Sequence, residues 1–192
     1  QNELKNALTK MLGIAPTFLP NKKGINLINI SKNNQYSFLK DSLNNEGFSI
    51  KSNGKNEIDI VAKTDIGLLY GSFHLLRIIQ QNLPVSNLSI IENPKTTLRM
   101  LNHWDNLDGT VERGYAGFSI WNWQKLPDYI DQKYIDYARA NASIGINAVV
   151  LTNVNANATI LLPNYLLKLK ALADTFRPYG IKVFVTARFS AP

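Results

Sequence analysis

The sequence predicts an α/β protein in two parts. Residues 1–93 carry a β-α-β-β-α-β succession, a small sheet backed by two helices, and residues 94–192 change to strand, helix, strand, helix, strand. Three observations predict this division. Apolar spacing switches repeatedly between strict alternation and intervals of three and four. The Asn93-Pro94 step interrupts both patterns. The near-continuous apolar run at residues 146–151 is what a strand covered on both faces requires.

Taken in order, Leu4, Leu8 and Met11 predict a short opening helix, broken by Pro16 and Pro20. Residues 24–30 alternate well enough for a strand. Residues 31–45 carry Phe38, Leu39 and Leu43 and predict a weak helix, with Gly47 placed as its C-terminal cap. Residues 48–51 and 57–63 read as two strands across an Asn53-Gly54 turn. Thr64 or Asp65 caps the next helix, whose apolar positions are Ile66, Leu69, Phe73, Leu76 and Leu83, and Pro84 stops it. Gly67 and Gly71 lower its helix propensity, so close packing against a sheet is the expected compensation. His74 has no second histidine at ligand spacing and reads as a partly buried helix histidine. Residues 88–92 form a last short strand.

In the second part, residues 98–101 are the first strand. Pro127 stands where the first helical position is expected, with Ile130, Tyr134, Tyr137 or Ala138, and Ala142 on the inner side and Gly145 at the end. After the strand at 146–151 come Asn153, Asn155 and Asn157. Pro163 opens a second helix with Leu166, Leu169, Ala173 and Phe176 inward, ended by Pro178 and Gly180. Residues 181–185 are the third strand, leading into Arg188, Phe189 and Ser190. Repeated strand-helix units imply parallel strands with right-handed crossovers.

The chemistry is concentrated between the first strand and the first helix of this part. Residues 98–123, LRMLNHWDNLDGTVERGYAGFSIWNW, keep no helix or strand period after the opening apolar run. Loops of this length inside a compact unit are usually functional or disordered, and two tryptophans beside a histidine argue against disorder. The residue types suit a sugar. Indole faces of Trp104, Trp121 and Trp123 can stack on the apolar face of a pyranose, and the carboxylates and amides of Asn102, Asp105, Asp108 and Glu112 can bond its hydroxyls. Arg113 can pair with Glu112 or Asp108, or hold a carboxylate through its planar fork.

In parallel α/β sheets, ligands meet the carboxyl ends of the strands. The first strand end delivers Asn102, His103, Trp104 and Asp105, the second Asn153 and Asn155, the third Arg188 and Ser190. All three sets are polar and point to one rim. The alternative is that these groups merely cap loops and helices while Trp104 fills the top of the core.

Composition bounds the rest. The net charge is +7, yet the lysines are dispersed, with Lys22–Lys23 the one adjacent basic pair, and no nucleic-acid motif is readable. Cysteine is absent, which leaves neither a disulfide frame nor a thiolate metal site. No apolar run approaches the length of a bilayer span. The first residue, Gln1, suggests a trimmed chain or a removed signal peptide, and so a periplasmic or secreted location over a cytoplasmic one.

The stretch LNHWDNLDGTVERGYAG, the later ASIGINAVVLTNVNAN and the final FRPYGIKVFVTARFSAP together resemble the glycoside hydrolase family 67 α-glucuronidases, in the family's order. Residues 1–93 resemble it in layout only. The resemblance implies a small N-terminal domain at 1–93 and, over 94–192, the first three βα-type strands of an incomplete TIM (β/α)8 barrel. It implies an inverting hydrolase that removes glucuronic acid, or its 4-O-methyl ether, from xylo-oligosaccharides derived from glucuronoxylan, without cofactor or metal. A homodimeric parent enzyme is left open. Asn102, His103, Trp104, Asp105, Glu112, Arg113, Trp121, Asn153, Asn155 and Arg188 would then bind substrate.

An inverting pair of carboxyl groups stands about 6.5–9.5 Å apart, and Asp105 with Glu112 is a chemically conceivable pair. Nothing in the sequence isolates either in an apolar pocket. The resemblance places the acid and base on later strands, past residue 192, so the chain alone is expected to be inactive. A carbohydrate-binding module without catalysis, using the tryptophans as a stacking platform, is the alternative. A nucleotide-binding α/β domain is disfavoured, because no glycine-rich phosphate loop follows any strand.

Overall fold

A computed structural model describes residues 1–17, 23–54 and 56–188. Pro20, Lys22, Phe189 and Ser190 therefore lie outside the described residues. The chain forms two compact units, Gln1–Thr97 and Leu98–Pro192.

The first unit is a four-stranded mixed sheet. Helix α1 (Asn2–Leu12) buries Leu4 and Leu8 and ends on Gly13 in the left-handed conformation, φ 70°. Strands β1 (Ile25–Asn29), β2 (Phe48–Ser52), β3 (Ile58–Ala62) and β4 (Ser89–Glu92) lie in the order β1-β3-β2-β4. β1 pairs parallel to β3, and β2 pairs antiparallel to both β3 and β4. The connection between β2 and β3 runs through Asn53 to Glu57, longer than a two-residue turn, with Gly54 and Asn56 both at positive φ.

Helix α2 (Asp65–Gln80) is capped by Thr64, whose hydroxyl accepts from the Gly67 amide at 3.1 Å. Its two glycines are there for contact. A Cβ on Gly67 would sit 2.6 Å from the Gly47 carbonyl and 2.8 Å from Ala62 Cβ, and one on Gly71 would sit 2.6 Å from Ile60 Cγ2. The helix stops at Gln80, before Leu83, which is exposed. His74 is half-buried with its ring 5.3 Å from Phe48. Burial, helped by Arg77, lowers its pKa against the opposing pull of Glu92.

Residues 31–45 correct one expectation. Instead of an α-helix they hold a 3-10 turn, Asn34–Leu39, bent at Tyr36, with Asn33 accepting from the Gln35 amide. The Tyr36 hydroxyl donates to Asp59 Oδ2 at 2.5 Å, and Asn26 Nδ2 donates to Asp59 Oδ1 at 2.8 Å. These long-range bonds and the cluster of Ile30, Leu39, Leu43 and Val61 hold the segment where local propensity does not. Gly47 is likewise no left-handed cap: a Cβ there would strike Asn93 Oδ1, which itself accepts from the Asn44 amide.

The second unit is a three-stranded parallel sheet, β5 (Met100–Asn102), β6 (Ala148–Val150) and β7 (Lys182–Phe184), in sequential order. Helix α3 (Gln132–Ser143) connects β5 to β6, and α4 (Pro163–Phe176) connects β6 to β7. α3 begins later than expected. Asp131 caps it by accepting from the Lys133 amide, and Pro127 lies in the preceding turn. Pro163 does stand at the start of α4. The core is Ala148, Val149 and Leu151 of the central strand region with Tyr134, Ile160, Leu172, Phe176, Trp121 and Trp123. At the amino ends of the strands, buried Asn147 ties β5 to β6: its side-chain oxygen accepts from the Arg99 amide at 2.8 Å.

Candidate functional site

The carboxyl ends of β5, β6 and β7 are joined by a continuous set of hydrogen bonds. The His103 amide donates to the Val150 carbonyl at 3.0 Å, extending the β5–β6 ladder by one residue. The Asn153 amide donates to the Asp105 carbonyl and the Arg188 amide to the Ala156 carbonyl, both at 2.8 Å. Thr152, fully buried, accepts from the Thr186 amide at 2.9 Å, while the Thr186 hydroxyl donates to the Asn153 carbonyl at 2.6 Å. His103, Asn153 and Arg188 therefore share one end of one sheet.

The long loop over this end is a tied structure. Asp105 bridges Val111 and Thr110 bridges Phe118 in antiparallel fashion. The Asn106 amide group donates to Thr110 Oγ1 at 2.9 Å and to the Glu112 carbonyl at 2.8 Å. Asp108 accepts from both the Thr110 hydroxyl and its amide, which holds the exposed Asp108 carboxyl below its ordinary pKa. Gly109, Gly114 and Gly117 take positive φ at the corners, and Glu112 does so at 59°. Asn153 locks the loop to the sheet. Only 4% exposed, it directs Nδ2 at the carbonyls of Glu112 (3.2 Å) and Trp104 (3.4 Å), and its Oδ1 accepts from the Asn155 amide.

Beneath the loop, His103 is engaged at both ring nitrogens. Nε2 lies 2.7 Å from the Tyr137 hydroxyl, and Nδ1 faces Asp105 Oδ1 at 3.5 Å. Asp105 is 4% exposed. Burial, with the Asp105 charge adding to it, pushes the Tyr137 phenol well above its usual range.

The residues expected at the rim take three different positions. Asn102, Trp104, Asn155 and Arg188 are exposed there, Trp104 to 43%. Arg113 is solvated and 4.0 Å from Glu112, a pairing of little energetic consequence. Asp105, His103 and Asn153 form the floor.

Trp121 requires a correction. It is 1% exposed, with its ring 5.2–5.9 Å from those of His103, Tyr134, Tyr137 and Phe176. It is a core residue and offers no face for stacking. Trp123 is buried equally, its ring 6.0 Å from Tyr165. Of the three indoles, only Trp104 can meet a ligand.

Tyr137, Thr152 and Thr186 belong to this arrangement without having been singled out as site residues. Tyr137 was visible in the sequence only as an inner helix position, and no spacing rule links it to His103, 34 residues earlier. Among the described residues no group of three or more His, Cys, Asp or Glu could hold a metal ion, and no helix is long and apolar enough to cross a membrane.

The sequence profile of the glycosyl hydrolase family 67 N-terminus matches residues 1–75, and that of the family's middle domain matches residues 78–192. The chain belongs to glycosyl hydrolase family 67. Curated relatives agree. A probable alpha-glucuronidase A of Aspergillus terreus is 40% identical over 149 residues, covering 77% of this chain and 17% of the relative. Alpha-glucuronidase A of Aspergillus tubingensis is 39% identical over 151 residues, covering 78% and 18%. The matched stretch thus spans less than a fifth of these family 67 proteins.

Among solved structures, a GH138 enzyme targeting pectin rhamnogalacturonan II superposes with a TM-score of 0.61 at 19% identity, over 94% of this chain and 28% of that one. A Streptomyces plicatus N-acetyl-beta-hexosaminidase does so with a TM-score of 0.57 at 14% identity, over 96% and 38%. At these identities the likeness is one of fold.

Proposed function

We propose that this family 67 chain is the N-terminal part of an inverting α-glucuronidase that releases glucuronic acid, or its 4-O-methyl ether, from xylo-oligosaccharides. In this reading residues 1–93 are the N-terminal domain, and residues 94–192 begin a (β/α)8 catalytic barrel whose later strands carry the acid and the base. Asn102, His103, Trp104, Asp105, Glu112, Arg113, Asn153, Asn155 and Arg188 build one wall of the sugar pocket, directly or by fixing its floor.

One observation carries the reading. Three parallel strands end in polar residues at one end of the sheet, and a tied loop carries one exposed indole next in sequence to a buried carboxylate. Ligands of parallel α/β proteins occupy that end. An indole face with convergent acceptors is the recognition chemistry of a pyranose. Arg188 and Arg113 supply positive charge for a uronate carboxylate.

The test is release of D-glucuronic acid from aldouronic acids. A polypeptide extending through the remaining barrel should release it, and the 192-residue chain should not. Release by the short chain would place the catalytic pair within it, at Asp105 and Glu112, and overturn this assignment.

A further inference from the structure

Of the two neutral forms of His103, only one satisfies both of its neighbours. If the proton sat on Nε2, the Nδ1 lone pair would face the Asp105 carboxylate at 3.5 Å, a repulsive contact in a place where only 5% of the Asp105 side chain is open to solvent. With the proton on Nδ1, that contact becomes attractive, and Nε2 is left as an acceptor for the Tyr137 hydroxyl at 2.7 Å. Which nitrogen carries the proton is set by the partner of the other. The phenol is suited to this role, since its burial keeps it protonated far into the alkaline range. Trp121 packs edge-on against the imidazole, ring centres 5.3 Å apart and 62° between planes, which leaves the ring little freedom to turn.

We propose that Tyr137 is a positioning residue for the sugar site: its hydroxyl donates to His103 Nε2, fixes the imidazole as the Nδ1–H form, and through that proton aims the Asp105 carboxylate at the strand-end rim, where it accepts a hydroxyl of the bound uronic acid. The hydroxyl-accepting part of this statement rests on the sugar-binding reading above; the tautomer does not. The Asp105 backbone is already clamped, its carbonyl accepting from the Asn153 amide and its residue bridged to Val111. Side-chain rotation is thus the freedom left, and His103 is the side chain that faces it. At 3.5 Å the contact is longer than an ordinary hydrogen bond and acts on the carboxylate as a short-range electrostatic attraction.

The experiment is nitrogen NMR of the protein labelled at histidine. The sequence holds two histidines, so the His103 signals are assigned by their loss in H103Q. Near neutral pH, His103 should give a protonated-type Nδ1 and an unprotonated-type Nε2. In Y137F the tautomer should lose its fixed preference, and the affinity of the polypeptide extending through the remaining barrel for D-glucuronic acid, followed by calorimetry, should fall by about two- to tenfold, the range of one neutral hydrogen bond. An Nε2–H form or a doubly protonated ring in the unmodified protein would overturn the relay without any appeal to a variant. The expected tautomer together with unchanged affinity in Y137F would overturn the positioning role. The expected tautomer with no glucuronic acid binding by the polypeptide extending through the remaining barrel would overturn the sugar reading and, with it, the role given to Asp105.

Discussion

Replacing Asn153 tests how the loop is held over the strand ends. Truncation to Ala removes the Nδ2 bond to the Glu112 carbonyl at 3.2 Å, a marginal contact to the Trp104 carbonyl at 3.4 Å, and the acceptor of the Asn155 amide at 2.9 Å. None of these partners is orphaned. The Glu112 carbonyl keeps Asn106 Nδ2, the Trp104 carbonyl keeps the Glu112 amide, and Asn155 lies at the surface, where water replaces the lost acceptor. The loss is therefore the net value of two ordinary bonds, about 2 kcal/mol, without an added desolvation penalty. Asn153→Asp is nearly the same size but cannot donate. It sets a carboxylate against two carbonyl oxygens in a buried position, and should cost about 2 kcal/mol more than the alanine variant. All three tryptophans lie at residues 104–123, inside the second unit. Urea unfolding followed by tryptophan fluorescence consequently reports this unit alone, with the midpoint shift at constant m as the measure. An aspartate variant as stable as the alanine one would mean that the side-chain oxygen, not the nitrogen, faces the loop carbonyls, and the account of the loop's anchorage would fail.

The remaining predictions address both units. Gly71→Ala gains about 1 kcal/mol of helix propensity but drives a methyl to 2.6 Å from Ile60 Cγ2, on a fully buried residue. Overpacking of that kind costs about 1–3 kcal/mol, so the net effect should be destabilising, read as faster hydrogen exchange in β2 and β3. Trp121→Ala should cost about 3–5 kcal/mol as a core truncation. Trp104→Ala should change stability by less than about 1 kcal/mol and instead weaken saccharide binding by the polypeptide extending through the remaining barrel, which calorimetry would register. For Tyr36, burial and then Asp59 raise the phenol from 10.0 to about 12. A raised folded-state value means that the stabilisation is complete below pH 10 and disappears as pH climbs towards 12. Alkaline unfolding of Tyr36→Phe should lack that component.

The sequence was most informative where a local rule and a tertiary need coincided. Thr64 caps α2 because its hydroxyl is in reach of the Gly67 amide, and the glycines that weaken the helix are the ones that let it touch the sheet. The apolar run around Val149 announced a strand covered on both faces, and Ala148, Val149 and Val150 are buried. Failures came where distant partners decided. Asp59, itself held by Asn26, accepts from the Tyr36 hydroxyl from a strand 23 residues further on, so residues 31–45 do not follow their helical spacing. Asp131 outcompetes Pro127 as the start of α3, since a side-chain cap satisfies an amide that proline position alone does not.

At the site, the convergence of Asn102, His103, Asn153 and Arg188 was legible from strand ends alone. The division of labour among the tryptophans was not. Trp104 and Trp121 look alike in composition, and only the packing of Tyr134, Tyr137 and Phe176 around Trp121 separates a core indole from an exposed one. The partnership of Tyr137 with His103 follows from α3 lying under the loop, a placement that no spacing encodes.

The most direct test of the strand-end pocket is a titration of the nitrogen-labelled polypeptide, extended through the remaining barrel, with D-glucuronic acid, followed amide by amide. The account predicts shifts concentrated at Asn102, Trp104, Asp105, Asn153 and Arg188, with the first unit silent. Saturable shifts confined to residues 1–93, with those five amides unmoved, would contradict it.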